Sequence, residues 1–464
     1  MKSRYLALLL LVLILILFVG AGYLWGVPRV VEVSPGDGEK YRSAGTPLRL
    51  SFSRPMLAST VRERLSTDPP TDGQYTWEGK TLIFTPNQPW PNGQTVQVRL
   101  SPGARAAGFP QLPLRQELAW SFTIGEPQLV YLYPADGPAD LYMLDLQSGE
   151  IEQITDNPGT VLDFDVDRTG AKIYYTSSHG EGGSTIYRLD RLTGEVSTIL
   201  KCPQALCRYP RISPEGDFLA YERTDLSGND YPQVWLFPLA GLETSGEPAT
   251  PEPILADEPD QQTQQPLWSS TGTLTYYNYD LSAFIADNPE SGERVQFSSQ
   301  TGIPGDWNPD GSSYVIPEIF IDAIDPNTLT DLESIPTSHL LRFNYPDGSA
   351  FDLTQENNLE DANPVFSPDG ASLALGRKYL DIAHWTPGRQ LWLMGSDGGE
   401  AHALTDEPYF NHYDFAWSPP GDQLAYVRFN KTTLTEPPEI WLINSDGSNA
   451  TRLITGGYAP QWIP

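Results

Sequence analysis

Few residues in this 464-residue sequence could support chemistry, and its two cysteines are the first to consider. Cys202 and Cys207 lie close together in KCPQALCRYP. In an exported protein, a pair at this spacing is expected to form a small disulfide that holds a surface loop. A metal site would need further Cys or His nearby, and the stretch contains none. The disulfide is therefore the favoured interpretation.

Histidines are the other potential metal ligands, and no two of them have the close spacing of a ligand pair. The five are His179, His339, His384, His402 and His412. His412, in NHYDFAW, precedes a predicted inner strand and is our candidate for a side chain facing a central channel. The alternative is a turn histidine that bonds a backbone group. We predict no metal and no cofactor.

No specific motif indicates nucleophilic or acid-base catalysis. The chain lacks the G-x-S-x-G pentapeptide of α/β-hydrolases. Its 59 acidic residues make paired carboxylates too frequent for spacing alone to identify a catalytic couple. With 29 basic residues the net charge is −30, which argues against a surface for nucleic acid. Enzymatic activity is left open, and a non-catalytic role is favoured.

The beginning of the chain, MKSRYLALLLLVLILILFVGAGYLWG, contains an apolar run from Leu6 to Trp25. This length predicts a transmembrane helix. Because Lys2 and Arg4 precede the run, the N-terminus should be cytoplasmic and the rest of the chain exported. We therefore assign residues 1–27 to a stub and anchor and predict a single-pass protein of the bacterial cell membrane. A cleaved signal peptide, and thus secretion, is the alternative.

Residues 28–125 read as about seven short strands with apolar residues at every second position and Pro/Gly turns between them. This pattern predicts a β-sandwich. The segments SPGDG, LRLSFSRPM, TLIFTPNQPWPNGQTVQVRL and WSFTI resemble the bacterial Ig-like domains of the S-layer type. The resemblance implies a spacer or adhesion element without chemistry of its own.

One phrase recurs through the remaining chain, as in RISPEGDFLAYERT, VFSPDGASLALGRK and AWSPPGDQLAYVRF. Each copy reads as two strands joined by a turn that needs Gly. A second phrase follows, as in QLWLMGSDGGEAHALT and EIWLINSDGSNATRLIT. Four strands in about 40 to 60 residues are typical of a propeller blade. The tail YAPQWIP supplies the strand that the unit at Leu129 lacks, which predicts a closed ring over residues 126–464.

Seven blades are favoured for this ring, with six as the alternative if one weak unit is an insertion. The phrases SPDG…LA and LW…SDG…LT resemble the TolB-like or WD-repeat-like β-propellers of bacterial envelope proteins. That resemblance implies an extracytoplasmic binding platform more often than an enzyme.

Insertions between the repeated strands are where binding residues are expected on such a scaffold. They fall after the second or the third strand of a blade and could gather on one rim. The stretch IFIDAIDPNTLTDLESIPTSH is the candidate docking loop, since its apolar residues would otherwise be exposed to water. The alternative is a tolerated surface loop. The candidate residues are Ile319, Phe320, Ile321, Ile324, Leu329, Leu332 and Ile335.

The sequence therefore predicts an all-β chain: a transmembrane helix, an Ig-like β-sandwich and a closed β-propeller. Its predicted function is that of a non-catalytic, membrane-anchored extracytoplasmic scaffold that presents a docking surface to a protein or glycan of the envelope. The alternative is an extracellular enzyme, a glycan lyase or hydrolase, with its site in the propeller funnel.

Overall fold

The computed structural model divides into two compact units, of which the second spans Pro127–Ile463. It describes residues 27–463 apart from short internal stretches. Those stretches are residues 43–45, 88–89, 109–110, 126, 157–158, 180–181, 192, 227, 229–230, 240–249, 256–259, 290, 321–335 and 357.

The first unit is a sandwich of two four-stranded sheets. Its strands are β1 (Val30–Ser34), β2 (Glu39–Arg42), β3 (Leu48–Phe52), β4 (Leu65–Asp68), β5 (Gly73–Glu78), β6 (Thr81–Pro86), β7 (Thr95–Leu100) and β8 (Leu118–Ile124). One sheet has the order β1-β3-β6-β5 and the other β2-β8-β7-β4. Alternating residues of both sheets are buried in one core, for example Leu50 and Phe84 with Val98 and Phe122.

A short helix, α1 (Ala58–Arg62), lies between β3 and β4. Among the described residues, no helix is long and apolar enough to cross a membrane. The predicted transmembrane helix, residues 6–25, lies outside the described residues. Within the described residues, the predicted fold class is therefore corrected to an all-β chain without a membrane-spanning helix.

The second unit is built from four-strand modules of one design. In each module the first strand pairs with the second, the second with the third, and the third with the fourth, all antiparallel. Modules 2 to 7 follow the chain, whereas module 1 takes its first strand from the C-terminus.

Module 1 contains β36 (Tyr458–Ile463), β9 (Gln128–Tyr133), β10 (Asp140–Asp145) and β11 (Ile151–Gln153). Module 2 contains β12 (Thr160–Val166), β13 (Lys172–Ser178), β14 (Ser184–Asp190) and β15 (Val196–Cys202). Module 3 contains β16 (Ala205–Ile212), β17 (Phe218–Asp225), β18 (Gln233–Pro238) and β19 (Glu252–Pro253). Module 4 contains β20 (Thr263–Trp268), β21 (Leu274–Asn278), β22 (Ala283–Asp287) and β23 (Arg294–Ser298). Module 5 contains β24 (Asp306–Trp307), β25 (Ser313–Phe320), β26 (Thr337–Asn344) and β27 (Ala350–Asp352). Module 6 contains β28 (Leu359–Phe366), β29 (Ser372–Tyr379), β30 (Gln390–Gly395) and β31 (His402–Ala403). Module 7 contains β32 (Phe410–Trp417), β33 (Gln423–Asn430), β34 (Glu439–Asn444) and β35 (Thr451–Thr455).

The predicted closed propeller is wrong as stated, because no sheet formed by the described residues closes on itself. The strands of the second unit form five open sheets of four strands and one of eight. The larger sheet arises where modules 5 and 6 are joined by one parallel bridge between Ser338 and Glu360. At the other end of the chain, β36 pairs antiparallel with β9, with Trp462 opposite Leu129.

Neighbouring modules are linked through an aromatic residue near the end of the first strand. The indole N–H groups of Trp268, Trp417 and Trp462 donate to backbone carbonyls in the preceding module, at Arg211, Val365 and Ala416, over 2.9–3.2 Å. Each bond satisfies a polar group that would otherwise be buried without a partner. Three joints between modules are thus tied by an indole hydrogen bond.

Candidate functional site

The first strands of all seven modules line a single cavity of about 860 Å³ in the second unit. Each contributes the residue before a position that is aromatic in five of the seven modules, and these residues are Asp165, Arg211, Leu267, Asp306, Val365, Ala416 and Gln461. Because these residues occupy the same place in every module, the cavity follows directly from the repeat. Concave, partly polar cavities of this size are common ligand sites in proteins.

A β-bulge interrupts six of these first strands, directly before the cavity position in five of them and between Val161 and Asp163 in β12. In five of them the bulge contains a non-glycine residue with positive φ, a costly backbone conformation. These residues are Tyr209, Gln265, Asn363, Asp414 and Ala459. Since all five also line the cavity, the bulges turn side chains toward it that a regular strand would not present.

Three carboxylates line the cavity. Burial raises the pKa of Asp165, of Asp306 and of Asp414 to about 6. All three carboxylates have a structural partner in the next module, and for Asp414 it is the backbone of Ala459. Asp165 accepts the backbone N–H of Ile212 at 2.9 Å, and Asp306 accepts that of Phe366 at 2.8 Å.

The cavity also receives the side chains of Arg168 and Arg211. Arg211 donates to the backbone carbonyl of Phe164 at 3.3 Å, so it too holds two modules together. No cluster of three or more His, Cys, Asp or Glu with the geometry of a metal site occurs in the part of the chain that the structure describes. The polar groups of the cavity therefore serve the joints between modules.

His412, the candidate for a channel-facing residue, does not line the cavity. Its side chain is fully buried, with Nδ1 2.8 Å from the Arg389 carbonyl and Nε2 3.1 Å from the Glu407 carboxylate. The bulge that follows Tyr413 places Asp414 in the cavity instead.

Cys202 and Cys207 form a disulfide with a Cα–Cα distance of 6.2 Å. Both are buried, and they pack with Tyr174 of module 2 and Tyr221 of module 3. The sequence predicted a disulfide that holds a surface loop. In the structure, the disulfide belongs to the core between two modules.

Each module has two ends that differ in character. We call the end with the connection from first to second and from third to fourth strand the turn end. The opposite end, with the connection from second to third strand and from the fourth strand to the next module, is the loop end. Turn ends of adjacent modules touch, since Asn308 donates to the Gly370 carbonyl at 3.4 Å. Loop ends touch as well, since the N–H of Thr263 donates to the Pro232 carbonyl at 3.0 Å.

The loop ends together form what we call the loop face, and it carries most of the exposed large apolar side chains of the second unit. Among described residues, twelve such side chains lie there, three lie on fourth strands, and none lies at a turn end. The twelve are Tyr133, Leu226, Tyr231, Tyr279, Leu281, Ile303, Ile319, Phe320, Ile382, Trp385, Tyr409 and Leu434. Clustered exposure of this kind marks an interaction surface.

The predicted docking loop begins on this face. Ile319 and Phe320 end β25 and are exposed, and the Phe320 ring lies 4.9 Å from the His339 ring. The other candidates lie outside the described residues: Ile321, Ile324, Leu329, Leu332 and Ile335. The insertions do not all share one rim, because the connection from β18 to β19 leaves a turn end.

Buried ion pairs support the loop ends of modules 6 and 7. Arg377 pairs with Asp361 through two 2.7 Å bonds, and both side chains are almost completely buried. Glu407 accepts hydrogen bonds from His412 and Arg428, which lower its pKa to about 2. The guanidinium of Arg428 also lies 3.8 Å from the ring centre of Trp441.

Sequence reasoning missed the cavity carboxylates and the exposed residues of modules 6 and 7. Aligning the repeats places Asp165 and Asp306 in one column, in which other modules have apolar residues such as Leu267 but also Arg211 and Gln461. That column could have identified them. Trp385 and Leu434 lie in connections between strands, where the alternation of a strand does not account for an apolar residue.

Residues 26–124 match the family model of the bacterial Ig-like domain. One curated relative, an uncharacterized protein of Agrobacterium fabrum, is 26% identical over 168 residues, or 34% of this chain. The chain spans about half the length of that relative, since the match covers 50% of it.

Solved structures with a similar fold include TolB from Acinetobacter baumannii, with a TM-score of 0.42 and 14% identity over 88% of this chain and 86% of that chain. The β-propeller domain of the Trilobed protease from Pyrococcus furiosus has a TM-score of 0.47 and 9% identity, covering 78% of this chain and 93% of that one. An oligogalacturonate lyase from Vibrio parahaemolyticus has a TM-score of 0.39 and 15% identity, covering 64% and 74%. The resemblance to bacterial Ig-like domains is thus confirmed, and TolB and β-propeller proteins are among the structures to which this chain is similar.

Proposed function

We propose that this chain is a non-catalytic docking protein that binds a protein partner through the loop face of its second unit. The observation that carries the proposal is the unequal distribution of exposed apolar side chains, which lie at the loop ends and not at the turn ends. Connections on a rigid β-scaffold are the usual place for binding residues, because they vary without disturbing the core. The Ig-like first unit would act as a spacer.

We also propose that the protein works outside the cytoplasm. The disulfide between Cys202 and Cys207 supports this location, because such bonds persist in oxidising compartments. The net charge of −30 suits a protein partner better than nucleic acid or an anionic lipid surface.

The alternative, an enzyme that acts on an extracellular polymer in the cavity, has the three carboxylates with raised pKa in its favour. Asp165 and Asp306 are each engaged by a backbone N–H of the next module, and Asp414 is bonded to the backbone of Ala459, which assigns all three a structural task. Replacing Asp414, a cavity carboxylate with a raised pKa, tests this alternative. An Asp414→Asn variant that retains every measurable interaction would support docking, whereas a polymer-cleaving activity lost in that variant would support the enzyme.

Site-specific photocrosslinking tests the docking proposal. A photoreactive amino acid is placed at Ile303 and at Trp385 on the loop face, and at Val196 and Phe351 on fourth strands as controls. All four side chains are exposed, so incorporation should not disturb folding. We expect one set of protein adducts from the loop-face positions and none from the controls. Adducts of the same identity and yield at all four positions would contradict the proposal.

A further inference from the structure

The loop ends of modules 6, 7 and 1 are joined into one continuous surface, which we call the arc. It consists of the described residues of 353–358, 380–389, 404–409, 431–438, 456–457 and 134–139. Backbone hydrogen bonds of 2.6–3.3 Å connect each segment to the next. They are Leu380 N–H to Asn358 O, Gly388 N–H to Pro408 O, Lys431 N–H to Tyr409 O, Gly456 N–H to Pro438 O, and Ala135 N–H to Gly456 O.

Large apolar side chains project from the arc into water. Leu434 is 75% exposed, Tyr409 59% and Trp385 55%, and Ile382 is fully exposed. Scattered single apolar residues are normal on a protein surface, but four on three segments that are hydrogen-bonded to one another form a patch. Aromatic residues in such a patch are frequent anchors of protein interfaces.

The segments that carry these side chains are held in place by their own hydrogen bonds. The Asp381 carboxylate accepts the backbone N–H groups of Ala383 and His384 at 3.0 and 3.1 Å. In the segment that carries Leu434, the Asn430 side chain donates to Glu436 at 3.1 Å. A surface ordered before binding loses less conformational entropy when a partner docks.

The arc is also acidic. Its described residues include six carboxylates and two cations: Asp136, Glu356, Asp381, Asp406, Glu407 and Glu436 against Arg389 and Lys431. The guanidinium of Arg389 is already paired with Glu360, and the Glu407 carboxylate with Arg428, which leaves five carboxylates against Lys431. Anionic lipid and nucleic acid would therefore be repelled, and a cationic partner attracted.

The open shape of the arc favours a polypeptide over a small cation as its ligand. None of its residues lines the cavity of the second unit, so recognition takes place on an open surface. Small ligands are usually enclosed in concave pockets, whereas polypeptides bind spread surfaces with apolar anchors.

We propose that the arc is the docking site for a basic polypeptide segment whose Lys or Arg residues face the arc carboxylates and whose apolar side chains pack on Ile382, Trp385, Tyr409 and Leu434. This proposal rests on the docking function proposed above. It adds the place on the loop face and the chemistry of the partner.

Selection from a library of short random peptides displayed on phage tests the proposal on the full chain. Selected peptides are measured against the wild type, an arc variant with Trp385→Ser and Leu434→Ser, and a control variant with Val196→Ser and Phe351→Ser. We expect enriched peptides to combine Lys or Arg with apolar residues. Their affinity should fall by about tenfold or more in the arc variant and stay unchanged in the control. Equal melting temperatures of the three proteins establish that both variants fold.

The charge contribution is tested with Glu356→Gln and Asp406→Asn on the arc, against Glu215→Gln and Asp217→Asn in an exposed turn. We expect the arc pair to weaken the selected basic peptides and to reduce the salt dependence of binding, and the turn pair to change neither. Enrichment of acidic or uncharged peptides would overturn the proposal, and so would a selection without enrichment.

The same peptides distinguish failure of this proposal from failure of the docking function. Peptides that bind the arc variant normally but lose affinity with Tyr279→Ser and Ile303→Ser would overturn the arc and leave docking at the loop face intact. Peptides whose affinity is unchanged by every loop-face variant would overturn both.

Discussion

The two ends of the modules reach stable structures by different means. At a turn end, residues close in sequence do the work: the Asp446 carboxylate accepts the N–H of Ser448 at 2.9 Å, and Gly447 supplies a φ of +83°. At a loop end, residues far apart in sequence pair within the strands, as Arg377 does with Asp361. Local turn chemistry specifies the first end, and buried side-chain networks anchor the second.

This difference explains why apolar residues accumulate at the loop ends. A tight turn leaves little freedom, because its Gly and Asp positions are set by backbone geometry. A connection whose flanking strands are fixed by buried ion pairs can vary in length and composition without loss of the fold. The loop ends are therefore the part of the repeat in which binding residues can be placed.

The largest expected effect comes from breaking the loop-end network. Replacing Asp361 with Ala leaves the Arg377 guanidinium buried without its carboxylate and should cost about 3–5 kcal/mol of unfolding free energy. The measurement is urea denaturation of the full chain. At a turn end, Asp347→Ala removes an exposed carboxylate that caps Ser349, and its loss should be much smaller.

A double replacement, Asp361→Leu with Arg377→Met, checks the cause. It removes the charges together, so it should recover much of the stability lost in Asp361→Ala. If Asp347→Ala proves as costly as Asp361→Ala, the two ends are not stabilised differently.

The pH dependence of stability should distinguish the cavity from the loop ends. Burial favours the protonated form of Asp165 in the folded state, so stability decreases as pH rises from 3.8 to about 6 and stays constant above that range. Asp165→Asn keeps an acceptor for the N–H of Ile212 and removes the titration. The decrease should become smaller by at most about 3 kcal/mol.

Glu407 behaves in the opposite sense, because its folded-state pKa is lowered to about 2 from a model-compound value of 4.5. Its stabilising contribution is complete above pH 4.5 and is lost as the pH falls toward 2. Glu407→Gln should therefore reduce acid sensitivity below pH 4.5 and leave the range around pH 6 unchanged. Denaturant midpoints across pH 2 to 8 give both curves. Identical curves for the two variants would show that the cavity and the loop ends titrate alike.

Replacing one glycine at each end with alanine tests whether that end requires a particular backbone conformation. Gly447, at a turn end, has a φ of +83°, so Gly447→Ala should cost about 1–2 kcal/mol. Gly228, at a loop end, has an ordinary φ, and a Cβ there would meet no atom within 4 Å. Gly228→Ala should change stability by less than about 0.5 kcal/mol. Equal losses, measured by thermal unfolding, would contradict the claim that only the turn end is specified by local backbone geometry.

Features that depend on residues close in sequence could be predicted, and features that depend on distant residues could not. The hairpins were predictable, because each needs only a Gly and an Asp or Ser within a few residues, as around Gly370 and Gly447. The disulfide partners were predictable from spacing, but their burial between modules 2 and 3 was not, since it depends on packing of distant strands.

The site was less predictable for physical reasons. His412 was the candidate because it precedes a predicted inner strand, but a one-residue bulge changes which side chains face inward, and Asp414 lines the cavity. The exposure of Ile382 and Leu434 depends on the absence of neighbours in space, which sequence periodicity does not report.

The smallest expected effect is the most informative about the loop face. Ile382→Ser and Leu434→Ser replace apolar side chains that are exposed in the folded state, so each should change the unfolding free energy by less than about 0.5 kcal/mol. By contrast, Leu424→Ser, in the buried core of module 7, should cost roughly 2–5 kcal/mol. Urea denaturation of the three variants makes the comparison. A loss above about 1 kcal/mol at Ile382 or Leu434 would mean that the side chain contributes to folding. It would then no longer be free for a partner, and the contrast between the two ends would lose its functional meaning.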